Sequence, residues 1–118
     1  MNTRISITLL ALWIALLTTA TQAQNFPTRP MRVLVPLAAG GGMDSVSRNL
    51  AQSFAEAFGQ SVVVDNRPGA GSLVALGTLA DAAPDGHTVM MISATTVIYP
   101  LLYKSPLDPV RDFAPVSQ

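Results

Sequence analysis

The chain has 118 residues, with seven basic and seven acidic side chains, a net charge of +0 and no cysteine. That balance leaves no basic footprint for nucleic acid and no polybasic patch for a membrane surface. The missing cysteine excludes disulfide frameworks, thiolate zinc sites, thiol nucleophiles and a lipid-modified N-terminal cysteine.

Arg4 precedes an apolar run from Ile5 to Leu17 and then a small and polar stretch ending at Gln24, the three-part layout of a secretory signal. The run is shorter than the ~20 apolar residues a membrane-spanning helix needs. Thr21 and Ala23 fall at the −3 and −1 positions, so residues 1–23 are expected to be a cleaved signal peptide that exports a mature chain starting at Gln24. Without Arg4 the mature chain keeps six basic against seven acidic residues, about −1. Residues 24–118 suffice for one small domain.

Met31 to Leu37 is rich in β-formers and short enough for a buried strand, with Pro36 at its end because proline cannot donate to an interior ladder. Gly40, Gly41 and Gly42 follow at once. From Asp44 to Phe58 the residues Val46, Leu50, Phe54 and Phe58 fall four apart with Ala51 and Ala55 beside them, predicting a helix that buries this face and wets Ser45, Arg48, Asn49, Gln52 and Glu56. Gly59 closes it, and Ser61 to Asp65 reads as a second strand. After the turn-rich Asn66 to Gly71, Ser72 is expected to cap a helix running to about Ala83 on Leu73, Leu76, Leu79 and Ala80, stopped by Pro84-Asp85-Gly86. His87 to Ile92 gives a third strand. Pro100, Pro106 and Pro109 predict only short helical turns and loops over 97–112, and Phe113 to Gln118 begins a fourth strand. Strand, helix, strand, helix, strand with short connections is two βαβ units, hence an α/β fold with a parallel sheet and flanking helices. Because the last residues read as an extended segment without a closing turn, the chain is expected to be a truncated part of a longer protein.

Three loops fall at the carboxyl edge of such a sheet, where ligands bind. In the first, Leu37 to Met43, glycines let the backbone approach a ligand while amides at a helix start favour an anion; the alternative is a tight turn needing glycine only for its dihedrals. Asp44 reads as a cap or dipole partner that shapes the loop. The second, Gly69-Ala70-Gly71-Ser72, comes near the dinucleotide fingerprint, but Val74 holds the final small-residue position and no acidic residue ends the next strand. The third, Ser93 to Thr96, offers hydroxyls that can donate to a carboxylate or cap the next turn. His87 is the only histidine and opens a strand away from the loop edge, so neither metal ligation nor triad chemistry is expected, and Arg67 could clamp a carboxylate bidentately but reads rather as a local surface pair with Asp65.

Several segments in order resemble the tripartite tricarboxylate transporter receptor family, also called the Bug family: Pro27 to Pro36, Gly40 to Asp44, Val62 to Gly71, Ala83 to Thr88 and Tyr103 to Val116. The resemblance implies a periplasmic solute-binding receptor of the two-lobed Venus-flytrap kind (periplasmic-binding-protein type II). It would use no cofactor and would pass a small organic acid to a permease with a large and a small membrane subunit. It further implies that Leu37, Ala39, Gly40, Gly41, Gly42, Met43 and Asp44 surround the ligand carboxylate, with Asn66, Gly69, Ala70, Gly71, Ser72, Ser93 and Thr95 as neighbours. The family's usual Phe-Pro-Pro is Leu37-Ala38-Ala39 here, and its usual Thr is Met43, which lacks a hydroxyl donor. Family members continue through a second lobe, so on this resemblance residues 24–118 are the N-terminal part of the first lobe and hold half a cleft. Two other readings stand beside it: a nucleotide-dependent α/β enzyme using the Gly69 to Ser72 turn, and a nonfunctional truncated remnant.

Overall fold

Three short runs rich in valine build one sheet in the computed structural model, which describes residues 26–117. The expected signal peptide, residues 1–23, lies outside the described residues. Strand β1 (Met31–Val35) runs parallel to β2 (Val62–Asn66) on one side and to β3 (Thr88–Met90) on the other, giving the order β2-β1-β3. The register sets Val33 against Val64 and against Val89. A strand covered on both faces needs a nearly continuous apolar run, and Met31, Val33, Leu34 and Val35 are all buried. Pro36 falls just past the ladder, as expected.

Three helices follow: α1 (Gly42–Phe58), α2 (Leu73–Ala80) and α3 (Ala94–Leu102), with a single 3-10 turn at Ala70–Ser72 before α2. The crossover from β1 to β2 steps one way along the sheet and that from β2 to β3 steps back across β1. Right-handed crossovers of opposite direction place α1 and α2 on opposite faces, so the parallel sheet has flanking helices, as the sequence predicts. The reversal also makes the edge beside β1 a topological switch point, the place where open α/β sheets leave a crevice.

Four expectations need correction. On α1 the side packed against the sheet is Asp44, Ser47 and Ala51, whereas Val46 is 56% exposed and Leu50 and Phe54 are only half-buried. Small residues let the helix lie close to β1 and β2, turning the bulky stripe toward the flank. Ser72 does not cap α2 with its side chain; it is in the left-handed region at φ 80°, and α2 ends at Ala80, where the Asp81 and Ala82 amides close the turn on Gly77 and Leu79.

Further along, 94–102 is a nine-residue helix despite Pro100, because a capping box between Ser93 and Thr96 starts it firmly. Proline removes only one of its bonds, and α3 ends two residues later. Finally, 113–117 form no strand: Pro115 lacks a ladder donor, and before it Asp108 and Asp112 wind the chain into a closed turn through bonds to the amides of Val110, Arg111 and Asp108.

Replacing Ala51 with Leu should therefore overpack the helix-sheet contact and lower the unfolding free energy by ~1–3 kcal/mol, whereas Val46→Ser should change it by less than ~0.5 kcal/mol. Denaturant unfolding of the two variants checks which side of α1 faces the sheet.

Candidate functional site

Because the three strands are parallel, the segments after β1, β2 and β3 all leave from the same edge of the sheet. The first, 36–41, reaches α1 through Gly40 at φ 86°, a conformation open to glycine at no steric cost. Gly41 is the N-cap residue, extended at φ −85° and ψ 175°, and no side chain caps the helix from that position. The amides of Gly42, Met43 and Asp44 open a helix and have no intrahelical acceptor, and the positive end of the helix dipole adds to them. Leu37, Ala39, Gly40, Gly41 and Gly42 are exposed, and Met43 is half-buried.

A hydrogen-bonded ring holds this loop in shape. Asp44 turns inward, only 4% exposed. Its Oδ2 accepts from the Gly40 amide at 2.8 Å and from Arg48 Nε at 3.0 Å. Arg48 Nη2 donates onward to Asn66 Oδ1 at 3.4 Å, and Asn66 Nδ2 donates to the Leu37 carbonyl at 3.1 Å. The Arg48 hydrogen bond, then the Gly40 amide, outweigh desolvation and hold the Asp44 carboxyl at about 2. So Asp44 shapes the loop, and its Oδ1 is buried without a protein partner.

The second and third loops are joined to each other. Gly69, Ala70, Gly71 and Ser72 all have positive φ. For Ala70 and Ser72 this left-handed backbone costs about 1–2 kcal/mol each, the sort of local strain that tends to gather where a loop serves a ligand. Ser72 Oγ accepts from Thr96 Oγ1 at 2.9 Å, and Thr96, fully buried, closes the capping box with Ser93. The hydroxyls of Ser72 and Ser93 are thus tied into loop contacts, while Thr95 is exposed. The face of Gly71 that a side chain would occupy is filled by the Tyr99 ring.

Thr96 and Arg48, which the sequence-based site leaves out, are the residues that stitch the edge together. The spacing Ser93-x-x-Thr96 signals the capping box, and Asp44-x-x-x-Arg48 is an i,i+4 ion pair. Arg67 does pair with Asp65, at 3.1 Å, and so does Arg32 from the neighbouring strand. These two arginines, Arg32 first, hold the Asp65 carboxyl below its ordinary value. His87 is buried against the Phe26 ring at 4.9 Å, and among the described residues no group of three ligating side chains could hold a metal.

One open groove of about 400 Å³ runs between α1 and β2, lined by Arg48, Ala51, Gln52, Ala55, Ser61, Val62 and Val64. It lies along the flank between helix and strand and not beyond the strand ends, so the amide-bearing loop at the switch point is the better candidate site. Among the described residues that loop sits on an open rim.

The sheet order, the opposed helices and the exposed helix start define an open α/β sheet with its crevice at the switch point, and the fold is similar to part of the solved periplasmic binding proteins. Residues 46–118 match the model of the tripartite tricarboxylate transporter family receptor, and the chain belongs to that family, one of substrate-binding receptors and not of enzymes. It is 40% identical over 110 residues to a UPF0065 protein of Bordetella pertussis, covering 88% of this chain and 34% of that one. Among solved structures it is similar to MatC from Rhodopseudomonas palustris with bound malate (39% identity, TM-score 0.70, 77% of this chain and 32% of that one). It is also similar to a second R. palustris protein with adipate (37% identity, TM-score 0.53, 55% and 22%). The chain spans about a third of the length of the curated relatives it matches. The nucleotide-enzyme reading falls with the family, and the Tyr99 ring over Gly71 closes the very approach a pyrophosphate would use.

Two outcomes follow from this geometry. The Asp44 carboxyl titrates near 3.8 in an unfolded chain and at about 2 when folded, so its stabilisation is complete above about pH 4 and is lost as pH falls through about 2. Asp44→Asn should flatten that part of the acid-unfolding curve, followed by circular dichroism. Gly71→Ala, at φ 61° and against the Tyr99 ring, should force α3 away from the loop and lower the melting temperature by several degrees.

Proposed function

We propose that the chain is the N-terminal part of the first lobe of a periplasmic receptor for a small organic carboxylate, exported by a signal peptide over residues 1–23. The complete receptor delivers its acid to the membrane subunits of a tripartite tricarboxylate permease. The ligand's carboxylate is received by the amides of Gly41, Gly42, Met43 and Asp44, with Leu37, Ala39 and Gly40 forming the wall of the loop. Asn66, Gly69, Ala70, Gly71, Ser72, Ser93 and Thr95 frame the same edge.

The observation that carries this reading is the uncapped start of α1: a seventeen-residue helix opens at the switch point with no side chain on its first amides. A helix start of this kind favours an anion through both its free N–H groups and its dipole. Two similar structures hold malate and adipate, acids with a carboxylate at each end, which supports a dicarboxylate as the ligand class. One carboxylate would meet this loop and leave the other for the remainder of the cleft. Met43 adds no hydroxyl, so backbone donors carry the contact.

Titrating malate or adipate into the isotope-labelled complete receptor that begins with this chain should shift the amide resonances of Gly41 to Asp44. Gly42→Pro removes one of these donors at the first helical position, where proline is tolerated, and the extended Gly41 already suits a following proline. The variant should keep its fold and bind at least tenfold more weakly, as expected for losing one hydrogen bond to a charged acceptor. Amide resonances unmoved by either acid would overturn the proposal.

A further inference from the structure

We infer that Arg48 is the positioning residue of the glycine loop, pinning both of its ends so that the amides after Gly40 keep facing outward. Its consequence for binding rests on the carboxylate reading above. The guanidinium spans two acceptors that belong to different elements. Nε meets Asp44 Oδ2, which takes the Gly40 amide inward, and Nη2 meets Asn66 Oδ1, whose amide group holds the Leu37 carbonyl. The loop is therefore gripped at residue 40 from α1 and at residue 37 from the end of β2, and Arg48 bonds to both grips.

A guanidinium suits this post because its donors diverge in a fixed plane, whereas an ammonium offers one compact charge that cannot address both acceptors in the same way. The Arg48 side chain is 55% exposed but the Asp44 side chain it meets is only 5% exposed, so the pair also keeps a nearly buried carboxylate charged. Its further contribution is geometric. Gly40, Gly41 and Gly42 leave the loop backbone free to wander, and an external clamp replaces the stiffness that side chains would otherwise give.

The test compares Arg48→Met, which keeps the stem and loses every donor, with Arg48→Lys and Asn66→Ala in amide hydrogen exchange and in malate and adipate titrations. In Arg48→Met the Gly40 amide should exchange at least tenfold faster while the amides of Val33 and Leu34 in β1 exchange at the wild-type rate, and the melting temperature should fall by a few degrees because the nearly buried Asp44 carboxylate loses its cation. Arg48→Lys should fall between, and Asn66→Ala should loosen the Leu37 end while sparing Gly40. Gly40 exchange within twofold of wild type, or acceleration shared with β1, would overturn the inference. If the wild-type complete receptor binds neither acid, the receptor reading fails and the exchange result still decides the role of Arg48. If it binds, a tenfold loss in Arg48→Met is expected, and equal affinity would count against the positioning role.

Discussion

A helix entered through three glycines has to leave its first amides somewhere, and here the carboxylate of Asp44 decides where. By folding back from the first turn onto the Gly40 amide it uses that donor internally and releases the next ones to the surface. The carboxylate can stay charged in a nearly buried position because Arg48 stands beside it. The arrangement at the sheet edge follows from this choice. The loop is drawn down at one end by Asp44 and at the other by Asn66, and its middle is left on the rim.

The alternation of strands and helices was legible because each element has a strong local cause: continuous valine-rich runs for β1 and β2, and a glycine to end α1 at Gly59. The face of α1 was not. Period alone marks Val46, Leu50 and Phe54 as interior, but the closeness of helix to sheet is set by the smallest side chains, and Ser47 and Ala51 win the contact. The same limit applies to α3, where three prolines in the vicinity argued for loops and a two-residue capping box overrode them.

The site shows a similar division. The glycine loop is marked by composition, and the spacing of Asp44 and Arg48 is visible in retrospect, yet the sequence gives no sign that Arg48 also reaches Asn66, eighteen residues on. Nor does it show that Ser72 spends its hydroxyl on Thr96, twenty-four residues away. Such contacts depend on the register of β2 against β1 and on the path of the strained turn at Gly69 to Ser72. Chemistry was readable from residue types; its wiring needed the fold.

The contact between Gly71 and Tyr99 has a mechanical meaning for the edge as a whole. With no Cβ between them, the backbone of the second loop and an aromatic ring of α3 meet without slack, while Ser72 and Thr96 lock the adjoining turn. A tilt of α3 would therefore be transmitted to the second loop as a lever transmits force through a bearing. Since Leu101 and Leu102 at the far end of α3 are open to solvent, whatever presses on that end can be felt at the rim where the loops meet.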